Sequence, residues 1–131
     1  MHRRMLVNTG SSFEQHFGYS RAVRVGPHVF VAGTTAASPD GAVGGTDVQE
    51  QTREVFRRVE LALEKAGAGL GDVVRTRVFV TDINDWQAIG RIHAAVFESV
   101  LPASTIVEVS GLVMSDLMVE IEVDAIVADE A

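Results

Sequence analysis

The sequence has no cysteine among its 131 residues, only three prolines, one tryptophan and one tyrosine. Without cysteine there is no disulfide scaffold, thiol nucleophile, thiolate zinc site or iron-sulfur cluster, which fits a reducing, cytoplasmic setting. Aromatic residues make up 6% of the chain, too few for a stacking platform along single-stranded nucleic acid. Positive charge is also scarce: 11 Lys and Arg against 18 Asp and Glu leave a net charge of -7, which opposes accumulation on a polyanion. Nucleic acid is therefore not an expected partner. No apolar run approaches the roughly 20 residues of a membrane span, and the start of the chain lacks a signal-peptide core, so neither membrane nor export is expected. His2, His16, His28 and His93 show no ligand spacing, and no metal is expected. The glycines at 41, 44 and 45 do not form a phosphate-binding loop.

The apolar fraction, 47%, suits one globular domain spanning 1–131, long enough to remove about two thirds of its unfolded surface from water. Two β-rich runs, Ala22–Val25 and His28–Gly33, flank Gly26-Pro27 and predict a hairpin. The stretch from Thr34 to Gly45 carries turn residues and predicts an exposed loop. Thr46-Asp47-Val48-Gln49 has the spacing of a capping box, and the apolar positions Val48, Val55, Val59, Ala62, Leu63 and Ala66 continue it as an amphipathic helix that Gly67 stops.

Val73–Val80 predicts a strand with Arg75, Arg77 and Phe79 on one face and Val74, Thr76, Val78 and Val80 on the other. Asn84 or Asp85 is placed to cap a second helix with a Trp86, Ile89, Ile92, Val96 and Val100 stripe, ended by Pro102; Trp86 and Phe97 are core candidates. Two further strands, Thr105–Val109 and Val119–Val127, follow, the last alternating apolar residues with Glu120, Glu122 and Asp124. The order β-β-α-β-α-β-β, with room for an extra N-terminal strand at Arg4–Asn8, predicts an α+β mixed sheet with two helices packed on one face. Two helices cannot cover both faces, so the second face is expected to be buried between subunits.

Several blocks taken together carry a family resemblance. They are Gly18-Tyr19-Ser20-Arg21-Ala22, Val29–Gly33, Leu61–Ala68, Val78–Trp86, and Pro102–Val109 leading to Val119-Glu120-Ile121-Glu122. In their order and spacing the chain resembles the reactive intermediate deaminase family, also called Rid or YjgF proteins and labelled endoribonuclease L-PSP or translation inhibitor. The resemblance implies a chorismate-mutase-like fold and a homotrimer with clefts between subunits. It also implies cofactor-free hydrolysis of enamines and imines of small metabolites to 2-keto acids and ammonia.

Carried over by position, the resemblance makes Tyr19 a cleft tyrosine, Gly33 backbone close to substrate, Asn84 a cleft residue and Glu120 the carboxylate that positions water. Thr105 and Ile106 then lie on the strand whose backbone lines the site. Ser104 departs from the pattern, because deaminases of the family usually carry Arg at this third position of the Pro-Ala-Arg block. A hydroxyl has neither the charge nor the fork of a guanidinium for clamping a carboxylate. Arg21 and Arg77 are candidate auxiliary cations, although cross-strand pairing with the acidic last strand is the leading explanation for Arg75 and Arg77. His28 and His93 are expected to be turn and packing residues. A non-catalytic ligand-binding or regulatory trimer is the alternative function that Ser104 motivates, and an endoribonuclease is disfavoured by the acidic charge.

Overall fold

The computed structural model describes residues 3–128. In chain order it contains β1 (Arg4–Val7), α1 (Ser12–Phe17), β2 (Ala22–Val25), β3 (His28–Thr34), α2 (Val48–Lys65), β4 (Val73–Val80), α3 (Trp86–Val96), β5 (Ala103–Glu108) and β6 (Val119–Ile126). The strands form one six-stranded sheet in the order β1-β2-β3-β6-β4-β5. The last strand thus inserts between β3 and β4, antiparallel to both, while β5 runs parallel to β4 at the outer edge. This is the mixed α+β sheet expected, with the N-terminal strand present and α2 and α3 on one face.

The short helix α1 was not expected. It has six residues, too few to show an apolar period, and its ends carry it: the Ser11 hydroxyl accepts from the Phe13 amide, and Gly18 closes it at φ 78° with its amide on the Glu14 carbonyl. The start of α2 also differs from the capping box expected at Thr46. Asp47 is the cap, its carboxylate accepting from the amides of Gln49 at 3.0 Å and Glu50 at 3.2 Å. Before α3, Asp82 caps a 3-10 turn at Ile83–Asp85 through the Asn84 amide, so neither Asn84 nor Asp85 supplies the side-chain cap expected of it.

The core lies between the sheet and the two long helices. Val29 and Val31, Val78 and Val80, and the β6 residues Val119, Ile121 and Val123 alternate inward against Val55, Val59 and Leu63 of α2 and Ile89 of α3. Two expectations fail here. A register shift between Val73 and Arg75 turns Val73 inward and leaves Val74 exposed, the result of a bulge that alternation cannot anticipate. Phe97 is buried as expected, whereas Trp86, at the first position of α3, is 52% exposed and lies outside the core.

The loop expected to be exposed from Thr34 begins only at Thr35, because Thr34 ends β3 and is buried, as is Ala36; up to Gly45 it is tied down at several points. Arg58 of α2 donates to the carbonyls of Thr35 and Ala37, and Asp116 accepts from the Ala42 amide. The fully buried Gln51 donates to the carbonyls of Gly45 and Asp116 and accepts from the Met118 amide, joining this loop to the approach to β6. Across the sheet, the face away from the helices carries charged residues along β4 and β6, flanked by the exposed Phe30, Val107 and Ile126.

Candidate functional site

Tyr19, Arg21, Gly33 and Glu120, from four separate stretches of the sequence, converge beside the junction of β3 and β6. Gly18 turns the chain sharply at the end of α1, and the Tyr19 amide bonds back to the Glu14 carbonyl at 3.1 Å. Glu14 is itself buried and accepts from the Thr9 amide and hydroxyl, which ties α1 to the chain leaving β1. The Tyr19 ring packs edge-on to Phe17, and the Arg21 guanidinium lies 5.6 Å from its centroid, a cation-π contact.

Arg21 continues inward. Its Nη2 donates to the Gly33 carbonyl, while its Nε is buried and has no hydrogen-bond partner among the described residues. The ladder between β3 and β6 slips between Val31 and Thr34, so that Ala32 and Gly33 form a bulge facing the β6 segment that carries Glu120. A side chain at Gly33 would meet the Glu120 carboxylate directly, so glycine is what admits the carboxylate to this position. Burial pushes the Glu120 carboxyl above the ordinary glutamate value; the Arg21 charge opposes that rise and the neighbouring Glu122 adds to it. Glu120 accepts no hydrogen bond among the described residues, which leaves its oxygens available to an incoming polar group.

The other candidates lie toward the opposite edge of the sheet. Thr105 sits in register with Arg77 and shares the charged face with Glu120, two strands away. Ile106 is half-buried and packs against the core, so what β5 offers at this point is the backbone of an edge strand. Asn84 is exposed on the turn after β4, and the Ile83 amide of that turn donates to the Glu108 carboxylate at 2.9 Å, linking it to the end of β5. Arg77 is engaged by Glu122 at 3.4 Å and Asp124 at 3.2 Å, the cross-strand pairing, whereas Arg21 is the cation beside Glu120.

Ser104 faces the helix layer. It accepts from the Thr76 hydroxyl at 2.7 Å, and Thr76 is in turn 2.9 Å from Nε2 of His93 on α3. His93 does pack, against Phe56 and Phe97, yet it also carries this polar connection, which the sequence did not reveal. The alternation of β4 directs Thr76 inward, but its pairing with Ser104 depends on β5 lying next to β4. Among the described residues no group of three His, Asp or Glu side chains is arranged to hold a metal ion, and no helix is long and apolar enough to cross a membrane.

A mixed sheet with β6 inserted between β3 and β4, backed on one face by α2 and α3, defines a chorismate-mutase-like α+β protein. The chain belongs to the endoribonuclease L-PSP family, the Rid or YjgF proteins, whose model matches residues 9–127. A solved member of the YjgF/YER057c/UK114 family from Mycobacterium tuberculosis is 50% identical and superposes with a TM-score of 0.88 over 95% of this chain and 100% of that one. A RutC family protein of Pyrococcus abyssi is 38% identical over 105 residues, 79% of this chain and 82% of its own. The 2-iminobutanoate/2-iminopropanoate deaminase of Salmonella typhimurium is 33% identical over 111 residues, 82% of this chain and 86% of its own.

Proposed function

We propose that this protein is a cofactor-free imine or enamine deaminase that acts on a small reactive metabolite in the cytoplasm. The observation that carries the reading is Glu120: half-buried against Gly33, beside Arg21 and Tyr19, with its proton affinity raised by desolvation. A carboxylate so placed can accept a proton from water as the water adds to the carbon of a C=N bond. The resulting carbinolamine, protonated on nitrogen, collapses to a carbonyl product and ammonia, so water and imine are consumed and no electron acceptor is needed. Tyr19, Gly33, Asn84, Ser104 and the backbone at Thr105 and Ile106 are the proposed substrate contacts, with Arg21 as the local cation.

The two groups of candidates occupy different parts of one sheet, so in this reading the outer strand of a second copy completes the site. A homotrimer assembled on the face bearing Phe30, Val107 and Ile126 supplies such a cleft and covers exposed apolar surface. The deaminase name of the Salmonella typhimurium relative supports the reaction class. The test generates carboxylated and uncharged imines in situ and times ammonia release against buffer, with wild type, Glu120→Gln and Ser104→Arg. Acceleration by wild type that falls at least tenfold in Glu120→Gln is expected; equal turnover by the two proteins would sink the role of Glu120.

Ser104 favours a second reading, a ligand-binding trimer without turnover, because a hydroxyl holds a carboxylate less tightly than a guanidinium. Saturable binding of 2-keto acids with no ammonia release from any imine would select it.

A further inference from the structure

Three polar side chains cross from the helix layer to the outer strand in an unbroken file. His93 Nε2 lies 2.9 Å from Thr76 Oγ1, and Thr76 Oγ1 lies 2.7 Å from Ser104 Oγ. Thr76 is fully buried, so its hydroxyl has these two partners and must satisfy both. Ser104 is exposed at the other end, on an edge strand that pairs on one side only.

A hydroxyl has one proton to give, which makes the file directional. When Nε2 carries a proton, it donates to Thr76, Thr76 donates to Ser104, and the Ser104 proton points outward. When Nε2 is bare, the file can run the other way, with Ser104 donating inward and presenting lone pairs outward. The imidazolium allows the first arrangement only, whereas neutral imidazole allows both. We propose that His93, acting through Thr76, sets the hydrogen-bonding direction of the Ser104 hydroxyl and so tunes the affinity of the outer strand for a carboxylate. The inference rests on the reading of β5 as lining the ligand site, and it makes His93 and Thr76 positioning residues.

The surroundings of His93 suit this role. Phe56 faces it from α2 and Phe97 from just past the end of α3, with Thr76 from β4, and none of the three is charged. Burial is the cause of its pKa falling below the ordinary histidine value, with no ionised side chain contributing. Its protonation is thus free to respond to what binds at Ser104. By linkage, a carboxylate accepting from Ser104 favours the imidazolium, and acidification favours carboxylate binding by the same factor.

The test follows the His93 ring by NMR from pH 5 to 8, with and without saturating pyruvate, an ionised 2-keto acid throughout that range. The expected result is a His93 pKa raised by about half a unit, matched by an about threefold gain in pyruvate affinity on the acid side. Thr76→Val removes the connecting hydroxyl and is expected to abolish the His93 response while pyruvate still binds; Thr76→Ser is expected to restore it. A response that persists in a folded Thr76→Val protein would reduce the effect to direct Coulomb attraction and overturn the proposal. Pyruvate binding without a His93 response, or no pyruvate binding at any pH, would overturn it as well. Imine turnover by wild type without a His93 response would sink this inference and leave the deaminase reading standing. A His93 response without turnover would do the reverse.

Discussion

The carboxylate of Glu120 occupies the space that the missing side chain of Gly33 leaves open, so the candidate site depends on a glycine two strand positions beyond Val31. Adding a methyl group there forces either the carboxylate or the bulged backbone of β3 to move. Gly33→Ala is expected to cost about 1–3 kcal/mol in chemical denaturation, within the usual range for overpacking. The second substitution Glu120→Ala should relieve most of that cost, and a double-mutant cycle reads the coupling directly. Additive costs would mean that the two residues do not compete for this space.

Glu120 also makes stability depend on pH in a stated direction. Its folded pKa is raised, so the folded chain holds the proton more tightly than the unfolded chain does. That contribution is present in full below the unfolded value, near 4.5, and is lost as pH rises through the folded value. Glu120→Gln is therefore expected to be more stable than wild type at pH 7, with the difference shrinking below about pH 4.5. Urea denaturation of both proteins at pH 4 and pH 7 checks this. Arg21→Met removes the opposing charge and should move the Glu120 titration further upward, visible by carboxyl-carbon NMR.

Much of the architecture was legible because its elements are long and periodic. The α2 stripe and the β6 alternation each repeat over several turns or pleats, and the β2-β3 hairpin is marked by Gly26-Pro27. What escaped was either short or dependent on sheet order. Helix α1 has only six residues, and the bulges at Val74 and at Ala32-Gly33 each arise from a single slip of register. Glu120 and Arg21 could be picked out one by one, yet their proximity follows from β6 inserting beside β3. The same holds for Ser104, Thr76 and His93: an inward threonine and a histidine beside an apolar stripe look like packing until β5 is set next to β4.

Gln51 offers a separate test of how the 35–45 loop is held. Its amide satisfies the carbonyls of Gly45 and Asp116 and the amide of Met118, and it has no exposed surface. Gln51→Leu keeps similar bulk but leaves those three backbone groups without their partner. The expected loss is about 2–4 kcal/mol, given the cost of stranding buried polar groups. Amide exchange should rise at Met118, whose donor is freed. Unchanged exchange there would show that the loop is held by Arg58 and Asp116 alone.

Glu54 on α2 gives the acid side of the stability curve. It is held by Arg57 and by Arg58, the residue that also grips the carbonyls of Thr35 and Ala37, and its pKa is lowered from 4.5 to about 2. The Arg57 hydrogen bond is the largest cause; burial opposes it and the Arg58 bond adds to it. A depressed carboxylate stabilises the fold above its unfolded pKa and loses that contribution as pH falls toward the folded one. Glu54→Gln is therefore expected to cost about 1 kcal/mol at pH 7, the scale for a partly exposed charge-assisted pair. The cost should fade between about pH 4.5 and pH 2 and weaken in high salt. Because Arg58 links this pair to the loop, Glu54→Gln should also speed amide exchange at Val43, whose donor bonds the Ala36 carbonyl inside that loop. A destabilisation that persists undiminished at pH 2 would show that Glu54 acts through packing and not through its charge.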